Sequence, residues 1–183
     1  RGLGDVYKRQ LKIMITKNKI VKIIELAKKC NECALHHFKE FDNKLLSYKD
    51  DNSPLTNADI KVNEIAVTGL QKLFPNVEII SEELYNLKYI FKNKNYFWLI
   101  DPIDGTKEFI NKRPNFTVNF ALIKNNSPIF GLIAQPTTGI IWYNFNNKAW
   151  RLDKGQNFKN SQRIQCTEIN YKKLKTLSSS NHR

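Results

Sequence analysis

Segment 98–109 has the sequence WLIDPIDGTKEF and decides the fold around it. Residues 96–100 form an apolar run rich in β-forming residues, which predicts a buried strand. The strand is expected to stop at Asp101 and Asp104, which would lie together on a tight turn at its carboxyl end. The intervening proline fixes its own φ and pushes Asp101 into an extended conformation, and the following glycine permits a turn that a side chain would obstruct. The segment therefore predicts a rigid cluster of oxygen atoms.

Such a cluster suits hard divalent cations such as Mg2+, and the Ile103 carbonyl would add another oxygen. The alternative interpretation is an ordinary turn, because Asp-Pro and Asp-Gly pairs favour turns for local reasons. Two upstream segments bear on this choice. Residues 79–83 have the sequence IISEE and supply Glu82, while residues 51–59 have the sequence DNSPLTNAD and end in Asp59. The metal site is favoured over an isolated turn because all three segments, in this order, match the motifs of a known family.

These three segments resemble the motifs of the inositol monophosphatase-like family of Mg-dependent phosphatases. The resemblance runs from about residue 20 to residue 180, and it is closer at the motifs than between them. It implies the layered α-β-α-β-α sugar-phosphatase fold, an α+β architecture. Residues 14–170 would form the N-terminal metal-binding phosphatase domain, and residues 171–183 would start a truncated C-terminal domain. Family members continue past this point to a Trp-Asp motif whose aspartate completes the metal site, so we expect this chain to be a fragment with little activity.

The resemblance also assigns roles residue by residue. The ligands of two or more Mg2+ ions would be Glu82, Asp101, the carbonyl of Ile103, and Asp104. The catalytic residues would be Thr106, Asp59 and Glu82. The substrate-binding residues would be Glu82, Ile103, Asp104, Gly105 and Thr106.

Phosphate-ester hydrolysis explains why such residues are needed. Two divalent ions roughly 3.5–4 Å apart activate a water molecule and neutralise the leaving oxygen. Asp101 would bridge the ions, because it lies at the end of the strand where its position is best fixed. The Thr106 hydroxyl, oriented by Asp59, would position the attacking water, and the Gly105 and Thr106 amides would face the phosphate. The alternative for Asp59 is an acidic residue that complements the dipole of a helix.

The substrate class is predicted from the residues around these motifs. Residues 107–109 (KEF) and Ser81 before the paired glutamates resemble the bacterial bisphosphate nucleotidases, which remove the 3′-phosphate of 3′-phosphoadenosine 5′-phosphate, a by-product of sulfate assimilation. One alternative is an inositol or sugar monophosphatase of the same fold. The other is a non-catalytic basic protein that binds nucleic acid, which would predict salt-sensitive binding without Mg2+.

The composition bears on that last alternative. The chain has 183 residues, 41% of them hydrophobic and 26% charged, which is ordinary for a globular protein. A net charge of +13 and a pI of about 9.6 would attract nucleic acid or a small polyanionic substrate. The lysines are dispersed and no nucleic-acid-binding motif is present, so we expect a small phosphorylated nucleotide as partner and no nucleic acid. The sequence does not determine the oligomeric state.

Two further features invite other interpretations. Cys30 and Cys33, followed by His36 and His37, look like half of a zinc or redox site, but a second ligand pair is missing from the sequence and the segment lies inside a helical pattern. The cysteines are therefore predicted to pack within a helix. The first methionine is Met14, so residues 1–13 are predicted to be a non-native leader. Without a secretory signal or transmembrane run, a cytoplasmic location is expected, with peripheral attachment to the inner membrane left open.

The remaining pattern predicts two helices followed by an antiparallel meander. The first helix is expected over about 18–41. The second is expected to be capped by Thr56 or Asn57 and to end before Pro75, and its predicted buried positions are Ile60, Ile65, Val67, Leu70 and Leu73. The predicted strands are 77–80, 96–100, 117–123, 129–134, 140–145, 149–152 and the opening of one at 174–178, with a short helix or loop at 108–111.

Overall fold

The computed structural model describes residues 15–41, 47–48, 54–84 and 96–166. The described helices are α1 (Lys17–Glu40), α2 (Asn57–Leu73) and α3 (Thr106–Ile110). The described strands are β1 (Ser47–Tyr48), β2 (Pro54–Leu55), β3 (Glu78–Ser81), β4 (Tyr96–Asp104), β5 (Thr117–Lys124), β6 (Ser127–Gln135), β7 (Ile140–Phe145), β8 (Lys148–Leu152) and β9 (Gln162–Ile164). Short 3-10 turns cover Glu82–Leu84 and Phe158–Asn160.

Strands β3 to β9 form one sheet whose spatial order is the order of the chain. β3 lies parallel to β4, and every later neighbouring pair is antiparallel. The β5–β6 and β7–β8 hairpins close through asparagine pairs, 125–126 and 146–147, with φ between 46° and 61°. Asparagine tolerates this left-handed conformation, which suits the twist of a two-residue hairpin. The predicted meander is confirmed, whereas β9 and the β1–β2 ribbon were not predicted.

Helix α1 begins at an N-cap, Thr16, whose hydroxyl accepts from Lys19 N at 3.3 Å. Its buried face confirms the predicted helix, and Cys30 lies on that face as a packing residue. Burial raises the pKa of the Cys30 thiol to about 12, with a smaller contribution from Cys33, so Cys30 stays a neutral thiol.

Helix α2 buries a different face from the predicted one. Its buried apolar residues are Ala58, Val62, Ala66 and Leu70. The predicted burial of Ile60 is wrong, since Ile60 is 40% exposed, while Ile65, Val67 and Leu73 are half-buried at the edge of the core. The small residues bring α2 close to α1. A Cβ atom added at Gly69 would lie 2.3 Å from Leu26 Cδ1.

The two long helices pack on one face of the sheet, with α2 against β4 and α1 against β5 and β6. The sheet residues buried beneath them are Trp98, Ile100, Val118, Phe120, Leu122, Phe130, Leu132 and Ala134. On the opposite face Leu99 is 44% exposed and Ile133 is 47% exposed. The described residues thus form a two-layer α+β unit with one face of its sheet open.

Several predictions from the sequence fall on other residues. The leader at 1–13, the strand opening at 174–178 and the domain start at 171–183 lie outside the described residues. Within the described part of the chain, no helix combines the length and the apolar character needed to cross a membrane.

Candidate metal centre

Strand β4 passes through the acidic segment instead of ending before it, so the predicted tight turn at Asp101 is wrong. β4 pairs with β5 as far as Asp104, with Asp101 opposite Asn119 and Asp104 opposite Thr117. Two residues separate the aspartates on β4, while a single residue separates their partners on β5. This extra residue makes a β-bulge, and Pro102 is tolerated there because a bulge leaves a residue out of the ladder, so the N–H that proline lacks is not needed.

The bulge decides which way the two aspartates point. Residues three apart on a regular strand lie on opposite faces, but one extra residue restores the alternation. Asp101 and Asp104 therefore share the open face of the sheet, and Pro102 and Ile103 between them are buried. The bulge thus converts an i, i+3 spacing into a pair of neighbouring carboxylates.

Glu82 reaches the same place through the parallel pairing of β3 with β4. Ser81 pairs with Ile100, so Glu82, directly after the end of β3, follows beside Asp101 within β4. The buried Ser81 hydroxyl donates to Asn63 Oδ1 at 2.6 Å and ties the end of β3 to α2. A hydrogen bond links the Glu82 and Asp101 carboxyl groups.

Asp59 enters the site from the amino end of α2. It is 1% exposed and forms a capping box with Thr56. The Thr56 backbone N–H and hydroxyl donate to Asp59 Oδ2 at 2.8 and 2.5 Å, and Asp59 N donates to Thr56 Oγ1 at 3.4 Å. The Asp59 carboxylate is therefore held rigidly within electrostatic reach of Asp101.

Burial and three neighbouring carboxyl groups disfavour a charge on Asp101. Burial is the largest cause that raises the pKa of Asp101 from 3.8 to about 7. Repulsion from Glu82 and Asp104, the hydrogen bond with Glu82, and repulsion from Asp59 raise it further. The site thus places several acidic side chains around the partly buried carboxyl group of Asp101.

A divalent cation fits this arrangement. Asp101 Oδ1 is buried and has no hydrogen-bond partner among the described residues. An unpartnered buried carboxylate oxygen surrounded by other carboxylates is expected where a cation supplies the missing positive charge. Within the described ranges, no three His, Cys, Asp or Glu side chains already converge closely enough to hold a metal ion. The cation would therefore have to draw these groups closer together or find further oxygen ligands.

Gly105 and α3 follow directly after the bulge. Gly105 has a φ of 94°, and an added Cβ would lie 3.1 Å from the Asn115 carbonyl, so a side chain there would be strained. Phe109 anchors α3 in the core. Its buried ring packs against the rings of Phe38 and Phe116, whose centroids lie 5.4 and 5.1 Å from its own. The start of α3 is thereby placed beside Asp104.

The structure brings together the predicted residues Asp59, Glu82, Asp101 and Asp104, and Ile103 to Thr106 follow next to them. The Thr106 hydroxyl donates to the Ile103 carbonyl at 3.1 Å. The predicted pairing of Thr106 with Asp59 and the assignment of each ligand stay predictions.

One neighbour was missed by the sequence analysis. Asn119 Nδ2 donates to Asp104 Oδ2 at 3.0 Å, from a position directly opposite Asp101. The signal for it was a polar residue at an odd position of β5, between Val118 and Phe120, which are buried. Locating it required the register of β5 against β4.

The fold and the acidic cluster define a class of protein, an α+β protein with several carboxyl groups gathered where β3, β4 and the amino end of α2 meet. Comparison with known proteins makes this specific. The chain belongs to the inositol monophosphatase family, whose model matches residues 17–183.

Relatives and solved structures agree with this family. The 3'(2'),5'-bisphosphate nucleotidase CysQ of Buchnera aphidicola subsp. Acyrthosiphon pisum is 42% identical over 136 residues, which cover 73% of this chain and 50% of that protein. CysQ of Escherichia coli K12 is 40% identical over 107 residues, which cover 58% of this chain and 44% of the relative. This chain therefore spans about half the length of the curated relatives it matches.

Two solved structures show the same fold. CysQ from Bacteroides thetaiotaomicron aligns with a TM-score of 0.67 at 28% identity, covering 86% of this chain and 61% of that one. An IMPase of Thermotoga maritima aligns with a TM-score of 0.59 at 26% identity, covering 73% and 50%. These matches confirm the predicted inositol monophosphatase-like fold.

Proposed function

We propose that the protein containing this chain is a Mg2+-dependent phosphomonoesterase that removes the 3′-phosphate of 3′-phosphoadenosine 5′-phosphate to give AMP and phosphate. The observation that carries the proposal is the buried, unpartnered Asp101 Oδ1, surrounded by the carboxylates of Glu82, Asp104 and Asp59. This set of oxygen donors suits hard divalent cations better than softer metals, which prefer sulfur or nitrogen ligands.

In this proposal the acidic residues hold the cations. Glu82, Asp101, the Ile103 carbonyl and Asp104 would bind two or more Mg2+ ions, and Asp101 would be shared between them. When bound, the ions supply a more acidic water and neutralise charge on the leaving oxygen. The neighbouring carboxylates raise the proton affinity of Asp101 and thereby also its affinity for a divalent cation, because both relieve the same repulsion.

The residues after the bulge would orient the substrate and the attacking water. Asp59, fixed by its capping box, and the Thr106 hydroxyl would align that water with the phosphorus. The Gly105 and Thr106 amides would donate to the phosphate oxygens. The net charge of the whole chain, +13, would attract a polyanionic substrate.

The choice of substrate is supported by the CysQ relatives, which are named 3'(2'),5'-bisphosphate nucleotidases. A monophosphatase acting on inositol or sugar phosphates is the second candidate, and the structural match to an IMPase of Thermotoga maritima favours it. Nucleic-acid binding as the main function is disfavoured, because the carboxylate cluster would repel a phosphate backbone unless cations intervened. A cytoplasmic location and the domain boundary near residue 170 are part of the same proposal.

The test is phosphate release by purified protein from the complete reading frame that contains these residues. We expect Mg2+-dependent turnover with 3′-phosphoadenosine 5′-phosphate to exceed that with inositol 1-phosphate. Chelation with EDTA, Asp101→Asn and Asp104→Asn should each remove nearly all of it. Equal or faster hydrolysis of the inositol ester would favour the second candidate, and undiminished turnover in either folded aspartate variant would overturn the metal assignment.

A further inference from the structure

The amide of Asn119 lies between the two aspartates of the proposed cation site. It faces Asp101 directly across the β4–β5 pair, where opposed Cβ atoms are about 4.5–5.5 Å apart. It also donates to Asp104 Oδ2 at 3.0 Å. One side chain therefore contacts one of these carboxylates and stands beside the other.

The two polar atoms of the Asn119 amide differ in their hydrogen bonding. Nδ2 bonds to Asp104, whereas Oδ1 is buried and has no hydrogen-bond partner among the described residues. Burying an amide oxygen without a partner is unfavourable, so this orientation is not explained by stability alone. Asp101 Oδ1, in the same cluster, is likewise buried without a hydrogen-bond partner among the described residues. Both atoms are oxygen acceptors, as an approaching hydrated cation requires.

The chemistry of an amide suits this position. A carboxylate at residue 119 would add a further negative charge to a cluster that already destabilises the charge on Asp101. An apolar side chain would leave Asp104, which is exposed, free to rotate into solvent. An asparagine supplies a donor to one Asp104 oxygen without adding charge, and thereby fixes the direction of the other oxygen.

We propose that Asn119 is a positioning residue of the cation site, which holds Asp104 in one orientation and presents a buried neutral oxygen beside Asp101. This inference rests on the proposed function, because it assumes that a divalent cation binds here. Residues that orient metal ligands typically contribute 10- to 100-fold to metal affinity. The role is separable from a structural one, since the amide's described hydrogen bond goes to the exposed Asp104, a predicted ligand, and its oxygen has no hydrogen-bond partner among the described residues.

The test measures cation binding to purified protein from the complete reading frame that contains these residues, without relying on turnover. Tb3+ serves as the probe, because Trp98 lies three residues before Asp101, roughly 10 Å along the strand, and can sensitise Tb3+ luminescence. Mg2+ is then added as the competitor, and the unfolding midpoint is measured separately in EDTA.

Asn119→Leu should weaken Mg2+ and Tb3+ binding by about 10- to 100-fold, while the midpoint in EDTA stays the same or rises. Asn144→Leu is the matched control. Asn144 Oδ1 accepts from Gly131 N at 2.5 Å and Nδ2 donates to the Ile129 carbonyl at 3.3 Å, so this variant should lose stability and keep its cation affinity.

A double-mutant cycle tests whether Asn119 acts through Asp104. In an Asp104→Asn background, Asn119→Leu should cause little further loss of Tb3+ affinity, because the residue it positions no longer carries a charge. If the Asn119→Leu protein does not fold, Asn119→Val provides a second variant, because valine is well suited to a strand.

The outcomes separate the two proposals. Unchanged cation affinity in a folded Asn119 variant would overturn the inference while leaving the proposed function standing, as would full additivity with Asp104→Asn. Absence of Mg2+-displaceable Tb3+ binding in the unsubstituted protein from the complete reading frame would overturn both.

Discussion

The substitution Asp101→Asn should stabilise the metal-free protein at the same time as it removes cation binding. The native pKa of Asp101 is about 7, against 3.8 for an unperturbed aspartate, so its charged form is disfavoured by folding. A shift of this size corresponds to about 4 kcal/mol at pH 8, and partial solvent exposure reduces it to about 2 kcal/mol. An asparagine has the same shape, carries no charge, and keeps a donor for Glu82.

The sign of the pH dependence follows from proton binding. Between about pH 4 and pH 7 the folded protein retains the Asp101 proton that the unfolded chain releases, so the stability of the unsubstituted protein falls as pH rises. The advantage of Asp101→Asn should therefore be close to zero at pH 4 and complete at pH 8. For a domain of this size, about 2 kcal/mol corresponds to a rise of roughly 4–8 °C in Tm.

Urea unfolding in EDTA, followed by tryptophan fluorescence, measures this difference at both pH values. Asp153→Asn is the matched control, because Asp153 pairs with Arg151 at 2.8 Å on the surface and should change stability by less than about 1 kcal/mol, in the opposite direction. Mg2+ at tenfold its Kd should raise the stability of the unsubstituted protein by about 1.4 kcal/mol and leave Asp101→Asn unchanged. A destabilised Asp101→Asn at pH 8, or the same advantage at both pH values, would refute the proposed electrostatic cluster.

Three further substitutions test the scaffold by chemical denaturation. Gly105→Ala should cost about 1–3 kcal/mol, because φ is 94° and the new Cβ would lie 3.1 Å from a backbone carbonyl; an unchanged midpoint would contradict that backbone geometry. Thr56→Ala should cost about 1–2 kcal/mol through loss of the α2 capping box, with a smaller loss for Thr16→Ala at the exposed α1 cap, and equal losses would argue against the buried box. Ser81→Ala should cost about 1–3 kcal/mol by leaving Asn63 Oδ1 buried without its donor, and a neutral effect would show that this oxygen finds another partner.

Elements with a strong local pattern were predictable from the sequence. Helix α1 carries a sustained apolar stripe, and strands β5 to β8 alternate between short asparagine turns, so periodicity alone located them. Asp101 and Asp104 could be proposed because they follow an apolar run, whereas Glu82 and Asp59 were proposed from the resemblance of their segments to family motifs. The ribbon β1–β2 and strand β9 have two or three residues each, too few for alternation to be recognised.

Features set by non-local contacts were not predictable. Asp-Pro and Asp-Gly are compatible with a turn and with a bulge, and only the pairing of β4 with β5 selects the bulge. The buried face of α2 depends on its close approach to α1 at Gly69, which turns Ile60 toward solvent despite its apolar character. The position of Asn119 depends on the same strand register, so it was missed together with the bulge.

The identity of chain order and strand order has a consequence for how the molecule folds. From β4 to β9 each strand pairs with its sequence neighbour, so this part of the sheet forms through short loop closures of low entropic cost. Glu82 and Asp59 arrive differently, through the parallel docking of β3 and the packing of α2 on β4, which join more distant parts of the chain. Their arrival also brings like charges together. The acidic cluster is therefore expected to be completed after the rate-limiting step, and a bound cation should slow unfolding much more than it speeds folding.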